Sequence, residues 1–211
     1  MLRDRLEQGL SALGLALPRA AVSGLLDYLA LLAKWNRVYN LTAVGEPERM
    51  VTHHLLDSLA VLGELERAVP ELRRIADIGS GAGLPGIPLA FARPRWEVSL
   101  VEPSHKKATF LRQAALELGL ANVAVAEERA EHWHPVHRCD IAISRAFSDL
   151  GDFCRAAGHL VDARGRLVAM KGVHPDEELS ALPGGCVVER VAPIPVPGLA
   201  AERHLVIMRM T

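Results

Sequence analysis

The stretch that decides the fold is Ala76-Asp77-Ile78-Gly79-Ser80-Gly81-Ala82-Gly83-Leu84-Pro85-Gly86-Ile87-Pro88. A short apolar run leads into an acid, three glycines follow at alternate positions, and a helix-compatible segment comes next. This order predicts a strand, a tight turn and a helix, because glycine is needed where the backbone takes a positive φ or lies against a ligand. The helix offers the ligand unpaired N–H groups and the positive end of its dipole. The alternative is a turn that binds nothing.

Two cofactor classes use such a turn, and the sequence fits the pattern of each. The segment from Gly81 to Gly86 matches G-x-G-x-x-G, the dinucleotide fingerprint, and Glu102 follows where a ribose-binding acid is expected. The segment from Asp77 to Gly83 matches D-x-G-x-G-x-G, the loop of S-adenosylmethionine-dependent methyltransferases. A carboxylate just before the loop repels a pyrophosphate but suits a sulfonium ligand that also carries an ammonium group. Asp77 therefore favours adenosylmethionine over NAD.

The composition of the 211-residue chain narrows its class. Hydrophobic residues make up 50% and the formal net charge is −1, which predicts a globular protein whose nucleic-acid contacts, if it makes any, depend on local patches. The three cysteines, Cys139, Cys154 and Cys186, are widely spaced and predict neither a disulfide framework nor a zinc site. Because a reducing compartment suits such cysteines, we expect a cytoplasmic protein. No uncharged stretch approaches the length of a membrane span.

The periodicity of apolar residues changes at about residue 70. Residues 1–70 repeat apolar side chains every three to four positions, which predicts an N-terminal helical extension. In residues 71–211 strands and helices alternate, which is typical of a parallel sheet with crossover helices. Helices are predicted at 2–15, from Pro18 through Trp35, and at 47–65, 85–92, 104–118, 149–161 and 175–182. Strands are predicted at 73–78, 96–102, 122–127, 139–144 and 165–171, with an antiparallel terminal pair at 186–196 and 203–210.

Polar residues at the carboxyl ends of the predicted strands form the candidate site, because ligands of open α/β sheets bind there. Glu102 is placed to accept hydrogen bonds from ribose hydroxyls, and Ala130 with Glu131 is placed to contact an adenine amino group. Arg145 is suited to the cofactor's carboxylate or a substrate phosphate, with a structural salt bridge as the alternative. The same alternatives hold for Lys171, which ends the fifth predicted strand.

Two lysines follow Glu102 at the start of the next predicted helix. Ser104 is the candidate N-cap, and Lys106 with Lys107 falls in the first turn, where the helix dipole disfavours cations. This placement favours an external anion, and the hypothesis is that both lysines contact RNA phosphate. Flexible, solvated side chains are the alternative. A further polar cluster, His132, His134, His137 and Cys139, fits no standard zinc spacing, so no metal is predicted.

The assembled motifs resemble one family closely, the bacterial 16S rRNA guanine-N7 methyltransferases (RsmG, also called GidB), over nearly the whole chain. The motifs are Lys34-Trp35-Asn36, Asn40-Leu41-Thr42, His54-Leu55-Leu56-Asp57-Ser58, the Asp77–Pro88 loop, Ser144-Arg145-Ala146-Phe147, Lys171-Gly172 and Arg203-His204-Leu205. The resemblance implies an α/β, Rossmann-like class I methyltransferase with a mostly parallel seven-stranded sheet. Residues 71–211 would then be the methyltransferase domain, and residues 1–70 the extension.

The resemblance also implies the activity and its residues. A methyl group of adenosylmethionine would be transferred to N7 of one guanine in the decoding region of 16S rRNA, within the 30S subunit or an assembly intermediate. The family pattern implies cofactor contacts at Gly79, Leu84, Ala130, Glu131 and Arg145, to which the loop pattern adds Asp77, Gly81, Gly83 and Glu102. Lys106, Lys107, Lys171 and Arg203 are the candidate RNA contacts. Pro103 departs from the Asp-Ser of many relatives and puts the local turn in doubt.

No catalytic side chain is predicted, because guanine N7 carries a free lone pair at neutral pH and needs no general base. We expect a monomer. Two other hypotheses remain open at this point. One is an NAD-type oxidoreductase that uses Gly81, Gly83, Gly86 and Glu102, and the other is a non-catalytic RNA-binding factor of ribosome assembly.

Overall fold

Seven strands form one sheet in the computed structural model, which describes residues 1–145, 147 and 149–211. Ala146, which belongs to the Ser144–Phe147 motif, lies outside the described residues. The strands are β1 (Arg74–Ile78), β2 (Glu97–Val101), β3 (Val123–Ala126), β4 (Cys139–Ser144), β5 (Val161–Lys171), β6 (Cys186–Pro193) and β7 (His204–Met210). Their order across the sheet is β3-β2-β1-β4-β5-β7-β6.

The strand pairing confirms the predicted topology. Strands β1 to β5 run parallel to one another, and β7 pairs antiparallel with both β5 and β6. The parallel order reverses between β1 and β4, so the ends of these two strands form the switch point at which open α/β sheets bind ligands. The glycine stretch and Arg145 follow these two strands.

The helices of the N-terminal extension are α1 (Leu2–Ala12), α2 (Arg19–Tyr39), α3 (Pro47–Met50), α4 (Asp57–Leu59) and α5 (Leu62–Ala68). The prediction of one helix over 47–65 was wrong, because a π-helical segment, Val51–Leu56, separates α3 from α4. The segment lies against α1, and Val51, Leu55 and Leu56 are all buried, so neighbours surround it on several sides. A wide π turn changes which side chains face the sheet, and such turns are frequent at functional sites.

Helices in the second part of the chain are α6 (Gly86–Ala92), α7 (His105–Glu117), α8 (Leu150–Ala157) and α9 (Asp176–Ser180), with a 3₁₀ turn at Gly158–Leu160. The predicted helix over 149–161 is therefore shorter than expected, and β5 begins at Val161. A glycine explains the early start of β5. A Cβ at Gly165 would lie 3.0 Å from the Cys139 carbonyl oxygen, so the two backbones approach closely there.

A disulfide joins Cys154 of α8 to Cys186 of β6. The prediction of three unpaired cysteines was wrong for these two. They are 32 residues apart in sequence, and only the packing of α8 near the sheet edge brings their Cα atoms to 6.5 Å. Cys139 is free and buried.

The extension and the sheet share one apolar core. Leu25 and Leu55 from the extension belong to the same buried cluster as Ile87, Leu100 and Ile207. Helix α2 packs against α6 and α7, and α4 packs against α6, so the extension covers one side of the first half of the sheet. Within the described part of the chain, no helix combines the length and apolar character that a membrane crossing requires.

Candidate cofactor and substrate site

The loop after β1 turns back over the end of β2. Gly79 and Ser80 both donate their N–H groups to the Val101 carbonyl, at 2.9 and 3.2 Å. The Ser80 hydroxyl donates to the Asp77 carbonyl at 2.7 Å. Gly79, Gly81 and Gly83 take φ values of +68°, +58° and +90°, which other residues rarely adopt. The predicted strand, tight turn and helix are confirmed.

The glycines of the loop have different surroundings. Gly79 and Gly81 are half-buried, and a Cβ at Gly81 would meet only the Gly79 carbonyl, at 3.8 Å. A Cβ at Gly83 would lie 2.5 Å from Ile87, and one at Gly86 would lie 2.3 Å from Leu100. Gly83 and Gly86 therefore allow α6 to pack on the sheet, while Gly81 leaves its backbone open to a ligand.

Asp77 lies entirely beneath this loop. It is 0% exposed, and its Oδ2 accepts the Gly86 N–H at 2.9 Å, so it caps the start of α6. Its Oδ1 is buried and has no hydrogen-bond partner among the described residues. Burial raises the pKa of Asp77 to about 7, although the Gly86 N–H and the charge of Arg145 act in the opposite direction. The carboxyl thus supports the loop from below and keeps one acceptor unused.

Glu102 ties the loop to the end of β2. It is 4% exposed, and its two oxygens accept the N–H groups of Gly81 at 2.8 Å and Ser104 at 2.9 Å. A carboxylate has about four acceptor positions, so about two remain for ribose hydroxyls. The second bond also holds the turn at Pro103. Ser104 occupies the predicted N-cap position, but its side chain makes no capping bond within the described structure.

The loop after β3 carries the two residues expected at an adenine. Ala130 is buried and packs in one cluster with Ile78 and Val101, at the ends of β1 and β2. Glu131 is exposed beside it. Leu84 differs from the other expected cofactor contacts, because its side chain is 3% exposed and belongs to the core. Only the Leu84 backbone is available to a ligand.

A tyrosine of the N-terminal extension makes a hydrogen bond to the glycine loop. The Tyr28 hydroxyl donates to the Ala82 carbonyl at 2.7 Å, and the side chain is fully buried. Burial raises the pKa of Tyr28 above its ordinary value, so the hydroxyl remains a donor. Sequence reasoning missed this contact, because Tyr28 falls within the apolar periodicity of α2 and resembles any other core residue. No signal in the sequence pairs it with Ala82.

Two arginines share one buried carboxylate at the ends of β4 and β7. Asp57 is 2% exposed, and its Oδ1 accepts Arg203 Nε at 2.7 Å while its Oδ2 lies 3.3 Å from Arg145 Nη1. Arg145 Nη1 also donates to the His53 carbonyl at 3.1 Å. Both guanidiniums keep further N–H groups that bond no described residue. The salt bridge foreseen for Arg145 exists, but the arginines remain about a quarter exposed and can bind an anion.

The remaining cations also have internal partners. Lys171 pairs with Glu178 at 2.7 Å and is 10% exposed. Lys106 donates to the Tyr39 carbonyl at 2.8 Å. The negative end of the α2 dipole therefore stabilises the Lys106 ammonium, which the positive end of the α7 dipole disfavours. Lys107 is half-buried in the same turn.

A cleft of about 390 Å³ opens between the extension and the ends of β4, β5 and β7. Its lining residues are Thr42, Val44, His53, His54, Asp57, Arg145, Met170, Lys171, Gly172 and Arg203. Three of them are cations, and the carboxylates of Asp57 and Glu178 compensate two of the three charges. Burial and the nearby Arg145 lower the pKa of His54, which keeps its ring neutral at pH 7. The cleft therefore carries one surplus positive charge.

The histidine cluster after β3 makes no metal site in the described residues, where no three histidine, cysteine or acidic side chains converge. His134 instead packs edge-on against His159, with ring centres 5.1 Å apart.

A parallel sheet with an antiparallel pair at one edge, a glycine loop after β1 and an acid after β2 together define the class I, Rossmann-like methyltransferases. The GidB family, described as rRNA small subunit methyltransferase G, has a model that matches residues 21–206. The chain belongs to this family.

Relatives and solved structures agree with this assignment. The chain is 54% identical to the ribosomal RNA small subunit methyltransferase G of Nitrosospira multiformis, with 97% of this chain and 96% of the relative covered. The chain is 53% identical to the protein of the same name from Azoarcus sp., with 97% of this chain and 94% of the relative covered. The fold is similar to that of the O-methyltransferase TomG from Streptomyces achromogenes, with a TM-score of 0.58 at 19% identity over 87% of this chain and 89% of that one.

These findings support an enzyme that methylates small-subunit rRNA. They give no support to a nicotinamide-dependent oxidoreductase or to a non-catalytic assembly factor.

Proposed function

We propose that this chain transfers a methyl group from S-adenosylmethionine to N7 of one guanine in the decoding region of 16S rRNA. One observation supports the proposal most. The glycine loop follows β1, and the cleft with one surplus positive charge lies at the end of the neighbouring strand β4. The loop suits a cofactor, and the cleft suits a nucleotide.

The residues around the loop fit adenosylmethionine. Gly81 leaves room for the ligand, and Glu102 has acceptors for two ribose hydroxyls. Ala130 and Glu131 flank the adenine position. Arg145 carries a charge that suits the carboxylate of an amino acid moiety, and the buried Asp77 supports the loop with one unused acceptor, Oδ1. When bound, the cofactor supplies an electrophilic methyl group on a positively charged sulfur.

The cleft fits a guanosine with its phosphate. Arg145 and Arg203 offer N–H groups in fork geometry for a phosphate oxygen, and Lys171 adds a third positive charge. The cleft lies beside the end of β4, so a base inside it approaches the cofactor loop. A guanine must be splayed out of its RNA to enter, which favours an unpaired or distorted site.

The reaction needs little help from side chains. The N7 lone pair forms the new N–C bond as the sulfur–methyl bond breaks, and the positive charge passes from sulfur to the purine. No proton leaves N7, so a general base has nothing to accept. The chain's own contribution is to hold the two reactants in line and exclude water, and positioning of this kind can supply about 7–11 kcal/mol of the barrier.

We also propose that the two parts of the chain have different roles. Residues 71–211 bind the cofactor, and residues 1–70 complete the substrate cleft through Thr42, His53 and Asp57. The enzyme acts as a cytoplasmic monomer on the 30S subunit or an assembly intermediate. Both of the candidate RNA lysines, Lys106 and Lys107, lie next to Glu102 on the cofactor side.

Methylation assays test this proposal. Labelled adenosylmethionine is incubated with unmodified 16S rRNA and with unmodified 30S subunits, and the modified base is mapped. We expect one N7-methylated guanine, and a strong loss of transfer in Glu102→Ala. Glu128→Ala is the matched control, because Glu128 is an exposed acid after the next strand. A wild-type protein that methylates neither substrate contradicts the proposal, as does one that binds NAD and not adenosylmethionine.

A further inference from the structure

A small surface formed by Tyr39 and Lys106 lies outside the cleft. Tyr39 ends α2, and Lys106 lies in the first turn of α7, where the Lys106 Nζ donates to the Tyr39 carbonyl at 2.8 Å. The same ammonium lies over the Tyr39 ring, 6.0 Å from its centre. Because α7 starts just after Glu102, the surface lies on the cofactor side of the sheet.

The Tyr39 ring is held in place from below. Its centre lies 5.2 Å from that of Trp35, with the two rings tilted by only 30°, and Trp35 in turn packs against the fully buried Phe110 at 5.5 Å. The backbone is fixed as well, because Asn40 takes a left-handed conformation that ends α2. Tyr39 nevertheless remains 37% exposed. A rigid, partly exposed aromatic ring loses little entropy when a flat partner packs on it.

The charge beside the ring is not neutralised within the described protein. Lys106 has three N–H donors, and the Tyr39 carbonyl takes one. No carboxylate of the described residues lies within ion-pair distance of the Lys106 ammonium. A partly exposed aromatic ring with an adjacent cation matches one chemistry well, a base that stacks and the phosphate attached to it.

The surface continues into the cleft along the chain. Thr42 lines the cleft and is three residues beyond Tyr39, so the two are at most about 11 Å apart along the backbone. The intervening segment is held by a hydrogen bond from the Thr42 N–H to Asn36 Oδ1 at 2.9 Å. An RNA strand with one base in the cleft therefore reaches Tyr39 with a nearby nucleotide.

We propose that Tyr39 and Lys106 dock a single-stranded nucleotide that flanks the methylated guanosine. The base stacks on the Tyr39 ring, and the Lys106 ammonium contacts the adjoining phosphate. This inference rests on the proposed RNA substrate and adds a second contact point for the strand outside the cleft.

The test measures binding, so that it does not depend on methyl transfer. Equilibrium affinity for unmodified 16S rRNA and unmodified 30S subunits is compared for wild type, Tyr39→Leu, Tyr39→Phe and Lys106→Gln. Leu116→Ala is the control, because Leu116 is a 79% exposed side chain at the far end of the same helix as Lys106. Adenosylmethionine affinity and the unfolding temperature are recorded for every variant.

We expect Tyr39→Leu to weaken RNA binding by about 5- to 150-fold, the range found when one stacked base is lost. Tyr39→Phe should keep nearly all of the affinity, because the ring remains. Lys106→Gln should make the dependence of log affinity on log salt shallower by about 0.7, the value for one contact to a single strand. Adenosylmethionine binding should stay unchanged in all four variants.

The outcomes separate this inference from the proposed function. If wild type methylates the rRNA and Tyr39→Leu binds it equally well, the docking surface is refuted and the function stands. Equal losses in Tyr39→Leu and Tyr39→Phe would refute stacking. If wild type binds RNA in a Tyr39-dependent way but transfers no methyl group, the function fails and the surface stands. A wild type that binds no RNA refutes both.

Discussion

Replacing Asp57 by alanine removes the single carboxylate that holds two arginines. Asp57 belongs to the extension, while Arg145 follows β4 and Arg203 precedes β7. The carboxylate accepts Arg203 Nε at 2.7 Å and lies 3.3 Å from Arg145 Nη1. The variant therefore removes both ion pairs between Asp57 and the ends of the sheet, and leaves the bond from Arg145 to the His53 carbonyl.

The size of the effect follows from burial and exposure. Asp57 is 2% exposed, so water does not reach the carboxylate that makes both ion pairs. Hydrogen bonds to charged groups contribute about 1.5–3 kcal/mol each, and loss of one partner of a buried pair costs about 3–5 kcal/mol. The arginines are 28% and 24% exposed and regain some hydration, which lowers the cost. We expect Asp57→Ala to lose about 3 kcal/mol of unfolding free energy, or about 6–12 °C for a chain of this size.

Urea and thermal unfolding measure this loss. Asp57→Asn is the graded control, since it keeps a carbonyl acceptor and should lose less than alanine. Asp176→Ala is the surface control, because its carboxylate is 84% exposed, and it should stay within about 0.5 kcal/mol of wild type. If Asp57→Ala is as stable as Asp176→Ala, the two arginines do not depend on Asp57 and the reasoning is refuted.

Three further variants test the cofactor loop. The folded protein holds the pKa of Asp77 at about 7 against an ordinary 3.8, so its contribution to stability is present below pH 4 and is lost as the pH rises to 7. Asp77→Asn should remove a pH dependence on the order of 4 kcal/mol between those limits, measured by urea unfolding at each pH. Tyr28→Phe leaves the buried Ala82 carbonyl without its donor and should cost about 1–3 kcal/mol of stability, with weaker adenosylmethionine binding by calorimetry. Gly86→Ala places a Cβ 2.3 Å from Leu100 and should cost about 1–3 kcal/mol by thermal unfolding.

Each of these three expectations has a contrary result. An unchanged pH profile in Asp77→Asn would show that folding does not raise the pKa of Asp77. Wild-type cofactor affinity in Tyr28→Phe would show that the loop keeps its shape without the extension. Wild-type stability in Gly86→Ala would show that α6 can move away from β2 at little cost.

The architecture could be predicted from the sequence because it depends on the local order of apolar and polar residues. Apolar runs of strand length alternate with helical periodicity from residue 73 onward, and such alternation permits few topologies. The loop was predictable for the same reason. Its glycines are adjacent in sequence, and each one meets a local requirement for positive φ or close packing. Glu102 followed from its spacing behind that loop.

The sequence could not predict contacts between distant residues. Arg145 and Arg203 lie 88 and 146 residues from Asp57, and no local pattern pairs a carboxylate in a helical motif with either of them. The contact of Tyr28 with Ala82 spans 54 residues and was missed for the same reason. The π turn was missed because the order of apolar residues over 47–65 fits an ordinary helix equally well.

The hydrogen bond from Tyr28 to Ala82 also bears on the synthesis of the protein. Protein chains grow at about 5–20 residues per second, so the 54 residues between donor and acceptor take about 3–11 s to emerge. Throughout this interval the apolar face of α2 has no sheet to cover it. A chain truncated before β1 and its loop would therefore expose this apolar face to water and to other chains.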